Sequence, residues 1–160
     1  MSDQRVGIGY DVHRLAPGRP LILGGATIPF ELGLLGHSDA DVLTHAICDA
    51  LLSAAGLEDI GVHFPDSDER YQGISSLRLL EEVVRLVRGA GYGPVNVDAT
   101  VVAERPKLAS YLPSMKEKLA WVLGLPPARI GLKGTTSEGL GALGRGEGIA
   151  AVAVCLIEAA

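Results

Sequence analysis

Two periods of apolar residues alternate along this chain. Short extended runs predict strands over 5–9, 21–23, 95–103, 130–133 and 149–157. The third is the clearest, because Val95, Val97, Ala99 and Val101 alternate with Asn96, Asp98 and Thr100, the mark of a half-buried strand. Helical spacing appears over 39–55, where Leu43, Ala46, Ile47, Ala50, Leu51 and Ala54 make one apolar stripe. A second helix is predicted over 76–88, opened by a serine and closed by Gly89 and Gly91. A third starts near Pro113, a residue suited to a first helical turn, and stops at Gly124. Strands interleaved with helices predict a mixed α+β domain. No linker or repeat divides residues 1–160, so one domain is expected.

Composition narrows the function. The net charge is −5 with only four lysines, which argues against nucleic acid as a partner. A phosphorylated ligand would then need metal ions and backbone N–H groups beside the few basic side chains. Cys48 and Cys155 both sit in apolar runs, as buried reduced thiols do. The first ten residues lack the pattern of a secretory signal, and no apolar run is long enough to span a membrane. A cytoplasmic protein is expected.

Polar residues with chemical potential gather at five places. Asp11-Val12-His13 follows the opening strand, and residues two apart in extended chain point the same way. A carboxylate and an imidazole side by side suit a divalent metal. His37-Ser38-Asp39-Ala40-Asp41 leads into His45, and Asp41, His45 and Asp49 share a helical stripe opposite the apolar one. Residues 59–68 (Asp59, Ile60, Gly61, Val62, His63, Phe64, Pro65, Asp66, Ser67 and Asp68) read as a polar loop. Glu104-Arg105-Pro106-Lys107 leaves a strand end, a place to hold a base and a phosphate. Gly134-Thr135-Thr136-Ser137-Glu138 opens a glycine-rich stretch whose backbone can approach phosphate, with Glu138 available to a hard cation. It lacks the Lys of a P-loop, and Gly7-Ile8-Gly9 lacks the third glycine of a dinucleotide fingerprint.

The order of these pieces, with Gly144-Arg145-Gly146-Glu147-Gly148 after them, resembles the 2-C-methyl-D-erythritol 2,4-cyclodiphosphate synthase family of the non-mevalonate isoprenoid pathway. The resemblance implies a four-stranded mixed sheet backed by helices, assembled as a homotrimer with active sites between neighbours. It implies zinc on Asp11, His13 and His45, and magnesium or manganese on Glu138. Asp59, Gly61, Phe64 and Asp66 would line the pocket for the methylerythritol phosphate, with His37, Ser38, Ile60, Pro65, Ser67 and Asp68 also binding substrate. Ala103, Glu104, Arg105, Pro106, Lys107, Leu108 and Ala109, with Thr135, Thr136 and Ser137, would hold the cytidine diphosphate. His37 with Ser38, and Thr136, would steady phosphate charge during transfer. Ala142 stands where many relatives carry phenylalanine, at a trimer-axis cavity that Arg145 and Glu147 also border. Ser75 and Gly134 also depart from that pattern, in place of aspartate and alanine. The alternatives weighed are a non-catalytic nucleotide- or phosphate-binding module of this fold and an unrelated zinc phosphoesterase.

Overall fold

The computed structural model describes residues 3–160; Met1 and Ser2 lie outside the described residues. The main sheet runs β4-β1-β7-β5-β6. Its strands are β1 (Gln4–Ala16), β4 (Gly33–Leu34), β5 (Tyr92–Val102), β6 (Ile130–Thr135) and β7 (Gly148–Ala159). Only β5 and β6 pair in parallel, through a register that sets Val97 opposite Ile130. A separate hairpin joins β2 (Leu21–Leu23) to β3 (Ala26–Ile28). The sheet therefore has a fifth strand, because β1 continues past residue 9 and Leu15 and Ala16 pair with the two-residue β4. Two residues carry no period, so nothing in the sequence announces β4.

Helices α1 (Val42–Ala54), α3 (Ser76–Gly89) and α4 (Leu112–Leu123) back the sheet, with short α2 (Ile60–His63) and α5 (Gly141–Gly144) at the site end. Helix α1 is the centre of the core, with Leu43, Ile47, Leu51 and Leu52 fully buried. It lies unusually close to β1, and glycine is the reason. A Cβ on Gly7 would sit 1.9 Å from the Ala50 carbonyl oxygen, and one on Gly9 would sit 1.9 Å from that of Ala46. No other residue leaves room for backbone to approach backbone this closely.

Helix α1 starts at Val42 rather than 39, which corrects the predicted stripe. Asp41 is its N-cap and is fully buried. Its carboxylate accepts from Thr44 N–H, Thr44 Oγ1 and the Gly24 and Gly25 N–H groups at 2.7–3.0 Å. The half-open stripe thus begins one turn later, at His45 and Asp49. Helix α3 is also capped differently than its serine suggested. Ser75 makes no side-chain cap, and the Ser76 N–H donates instead to Asp39 at 3.0 Å.

Nothing among the described residues covers the other sheet face. Val6, Ile8, Tyr10 and Val12 on β1 are 48–68% exposed, and Val154 on β7 adds to the same apolar face. Cys48 and Cys155 are buried, and burial pushes the Cys155 thiol up to about 11. No helix among the described residues is long and apolar enough to cross a membrane.

Candidate functional site

Asp11 and His13 lie within β1 rather than after it, and both turn toward α1, on the side that Gly7 and Gly9 leave open. His45, one turn into α1, meets them there. Asp11 Oδ2 is 2.9 Å from His13 Nε2 and 3.0 Å from His45 Nδ1, and the two ring nitrogens are 3.3 Å apart. Burial alone would raise Asp11, but hydrogen bonds from His13 and His45 outweigh it and hold the carboxyl well below the usual range. Burial works against a charged His13, yet Asp11 and the Leu35 carbonyl prevail and raise it. Asp49, across the pocket, is raised by burial although it accepts the Ile60 N–H at 2.8 Å.

Two imidazoles and one carboxylate are the donor set of a catalytic zinc with one open position. The geometry fits such an ion. Ligand atoms about 2.0 Å from a tetrahedral metal stand about 3.3 Å from one another, close to the three separations found here. His13 Nδ1 is 2.7 Å from the Leu35 carbonyl, to which it donates. With Nδ1 committed to that carbonyl, Nε2 is the nitrogen that would give up its proton and offer a lone pair to a metal.

The triad forms one wall of a 240 Å³ cavity. Of the residues expected there, His37, Ser38, Ile60, Gly61, Phe64 and Asp66 line it. Asp59 sits just outside as the N-cap of α2, accepting the Val62 N–H. Pro65 and Ser67 are not among the lining residues. Asp68 is turned to Arg70, while its carbonyl accepts from His37 Nε2 at 3.1 Å. Tyr71 and Leu79 also line the cavity, although no local pattern singles them out.

A second cavity of 430 Å³ opens at the ends of β5 and β6. It brings together Ala103, Glu104, Pro106, Lys107, Leu108 and Ala109 with Thr135 and Thr136. Glu104 also ties the two loops together, accepting the Ser137 N–H at 2.7 Å. Ser137 and Glu138 follow outside that lining, and Glu138 holds the left-handed φ of 53°. Arg105 turns away to pair with Glu31 at 3.0 Å and borders a different cleft with Arg145. Arg145 pairs with Glu147 at 2.6 Å. Ala142 lies in α5, its carbonyl accepting the Glu147 N–H. The triad cavity and this second cavity share no lining residue.

The family model of the YgbB family matches residues 4–158. The chain belongs to the YgbB family. A relative from Desulfatibacillum aliphaticivorans, named 2-C-methyl-D-erythritol 2,4-cyclodiphosphate synthase, is 60% identical over 96% of this chain and 99% of its own length. A solved CDP-bound 2C-methyl-D-erythritol-2,4-cyclodiphosphate synthase is 44% identical, with a TM-score of 0.88 over 96% of this chain and 99% of that one. The bifunctional IspDF of Campylobacter jejuni superposes with a TM-score of 0.96 at 39% identity, over the whole of this chain and 43% of that longer protein.

Proposed function

We propose that this chain converts 4-diphosphocytidyl-2-C-methyl-D-erythritol 2-phosphate into 2-C-methyl-D-erythritol 2,4-cyclodiphosphate with release of CMP, as a phosphorus–oxygen lyase of the non-mevalonate pathway. The observation that carries this reading is the convergence of Asp11, His13 and His45 on one point of a cavity also lined by His37, Ser38, Gly61, Phe64 and Asp66. An oxygen of the substrate's 2-phosphate attacks the β-phosphorus. The bond from that phosphorus to the bridging oxygen breaks, and CMP leaves with the electron pair. No protein nucleophile is needed, so positioning and field carry the catalysis.

Zinc on Asp11, His13 and His45, with magnesium or manganese on Glu138, would supply positive charge against the crowded phosphates. Around it, His37 and Ser38 orient the 2-phosphate end, and Ile60, Gly61, Phe64 and Asp66 enclose the methylerythritol, carried by the segment that also holds Asp59, Pro65, Ser67 and Asp68. Lys107 with Thr135, Thr136 and Ser137 binds the diphosphate, and the 103–109 segment holds the cytosine. Thr136 and His37 steady the charge that builds in transfer.

The active unit is a homotrimer whose sites lie between neighbours, built from one domain over residues 1–160 and working in the cytoplasm. Two observations support the assembly. The apolar sheet face of Val6, Ile8, Tyr10, Val12 and Val154 has no cover among the described residues. The triad cavity and the 103–109/135–136 cavity share no lining residue, yet a single substrate must touch both. Phosphorus NMR of the linear substrate incubated with the protein, zinc and magnesium tests the reaction. A cyclic diphosphate and one CMP per turnover are expected; inorganic phosphate or a ring-opened phosphomonoester as product would overturn the reading.

A further inference from the structure

We infer that Asp39 and Ser76 are positioning residues that dictate which nitrogen of His45 carries the proton and thereby aim its Nδ1 lone pair at the metal. The inference rests on the metal reading of Asp11, His13 and His45. Ser76 is fully buried at the start of α3, and its Oγ lies 2.8 Å from His45 Nε2. The same hydroxyl hydrogen-bonds Asp39 Oδ1, and the Ser76 N–H donates to Asp39 Oδ2 at 3.0 Å. A carboxylate only accepts, so the single hydroxyl proton of Ser76 goes to Asp39. What Ser76 offers His45 is a lone pair, and Nε2 must be the nitrogen that donates. Ser38 Oγ, 3.2 Å from the same Nε2, accepts the Ala40 N–H at 3.2 Å and keeps a second lone pair that can share the Nε2 proton.

Asp39 is itself held from two sides. Its N–H donates to the Ile74 carbonyl at 3.0 Å, and its Oδ1 receives the Asp41 N–H at 3.2 Å. The chain Asp39–Ser76–His45 thus runs in one direction from a fixed acceptor to the metal-facing nitrogen. It plays for His45 the part that the Leu35 carbonyl plays for His13. Outer partners of this kind commonly change metal affinity by about 10–100-fold.

Three variants test it. Ser76→Ala removes the lone pair, and zinc affinity, read by chelator competition on the folded protein, should fall by about 10–100-fold. In zinc-loaded protein the slowly exchanging Nε2–H proton of His45, seen by proton–nitrogen NMR, should vanish with it. Ser76→Thr keeps the hydroxyl and should restore both. Asp39→Asn puts an NH2 where one carboxylate oxygen was. If that NH2 meets Ser76 Oγ, the hydroxyl proton is driven toward Nε2 and opposes its N–H, so affinity should fall at least as far as in Ser76→Ala. A role confined to packing would lower the melting temperature and leave the zinc affinity of the folded protein and the Nε2–H signal intact. Wild-type affinity and an unchanged signal in folded Ser76→Ala would overturn the inference, whether or not Asp39→Asn folds. A wild-type chain that takes up no zinc would instead overturn the metal reading beneath it.

Discussion

Gly9 shows how one absent side chain governs the chemistry. It stands two residues before Asp11 on β1, at the point where α1 crosses one residue past His45. Gly9→Ala would bring Cβ within 1.9 Å of the Ala46 carbonyl oxygen and within 2.8 Å of the Ala50 nitrogen. Backbone cannot swing aside as a side chain does, so the helix must lift from the strand. We expect a loss of about 1–3 kcal/mol in stability and a weaker zinc site, because His45 moves with the helix while Asp11 and His13 stay. Denaturant melts and zinc titration check this, and a variant with wild-type zinc affinity would refute it. The sequence showed Gly7 and Gly9 only as a failed nucleotide motif, since close approach is a property of two segments and not of one. The ligands themselves were legible, because Asp-x-His on a strand and a histidine on a polar helix stripe follow from local spacing. Asp41 was misread for the opposite reason. Its partners Gly24 and Gly25 come from a hairpin 16–17 positions away.

At the scale of elements, the candidate metal site is a clamp between β1 and α1. Its proton balance makes the clamp pH-dependent in a definite direction. Asp11 is depressed when folded, so its contribution is present above its ordinary value of 3.8 and is lost as pH falls through the lower folded value. His13 is raised, so its contribution is present below its ordinary 6.5 and is lost as pH rises through the higher folded value. The metal-free chain therefore draws on this pair most between about pH 4 and 6.5. Zinc needs the His13 Nε2 lone pair, so its binding strengthens over the range where the metal-free pair weakens. The melting temperature of the zinc-loaded protein minus that of the metal-free protein should widen from pH 6 to pH 8. A gap that narrows over that range would contradict the assignment of His13. The helices were visible in the sequence because each carries a strong period or a clear stop, such as Gly124 in the left-handed conformation. The continuation of β1 to Ala16 was hidden by Arg14, which puts a charge where the apolar series Val6, Ile8, Tyr10 and Val12 would continue.

At the scale of the whole molecule, the two unlinked cavities and the bare sheet face lead to one expectation about assembly. His13→Ala damages the triad cavity and Lys107→Ala the 103–109 cavity. Mixed and reassembled, the two variants should form some trimers with one intact site between neighbours, and activity should exceed that of either parent. A mixture that never exceeds the better parent would rule out sites shared between chains. None of this arrangement is visible as a period or a motif. Only the alternation of Val6, Ile8, Tyr10 and Val12 with Gly7, Gly9 and Asp11 hints that β1 is apolar on the face away from the helices. The central claim, that Asp11, His13 and His45 hold the zinc on which CMP release depends, is tested most directly by titrating zinc into metal-stripped protein at saturating magnesium. CMP release should rise in proportion to added zinc and level off at about one equivalent per chain, the stoichiometry of a single three-ligand site, and His45→Ala should stay near zero throughout. Full CMP release before any zinc is added, or an undiminished titration in His45→Ala, would contradict the account.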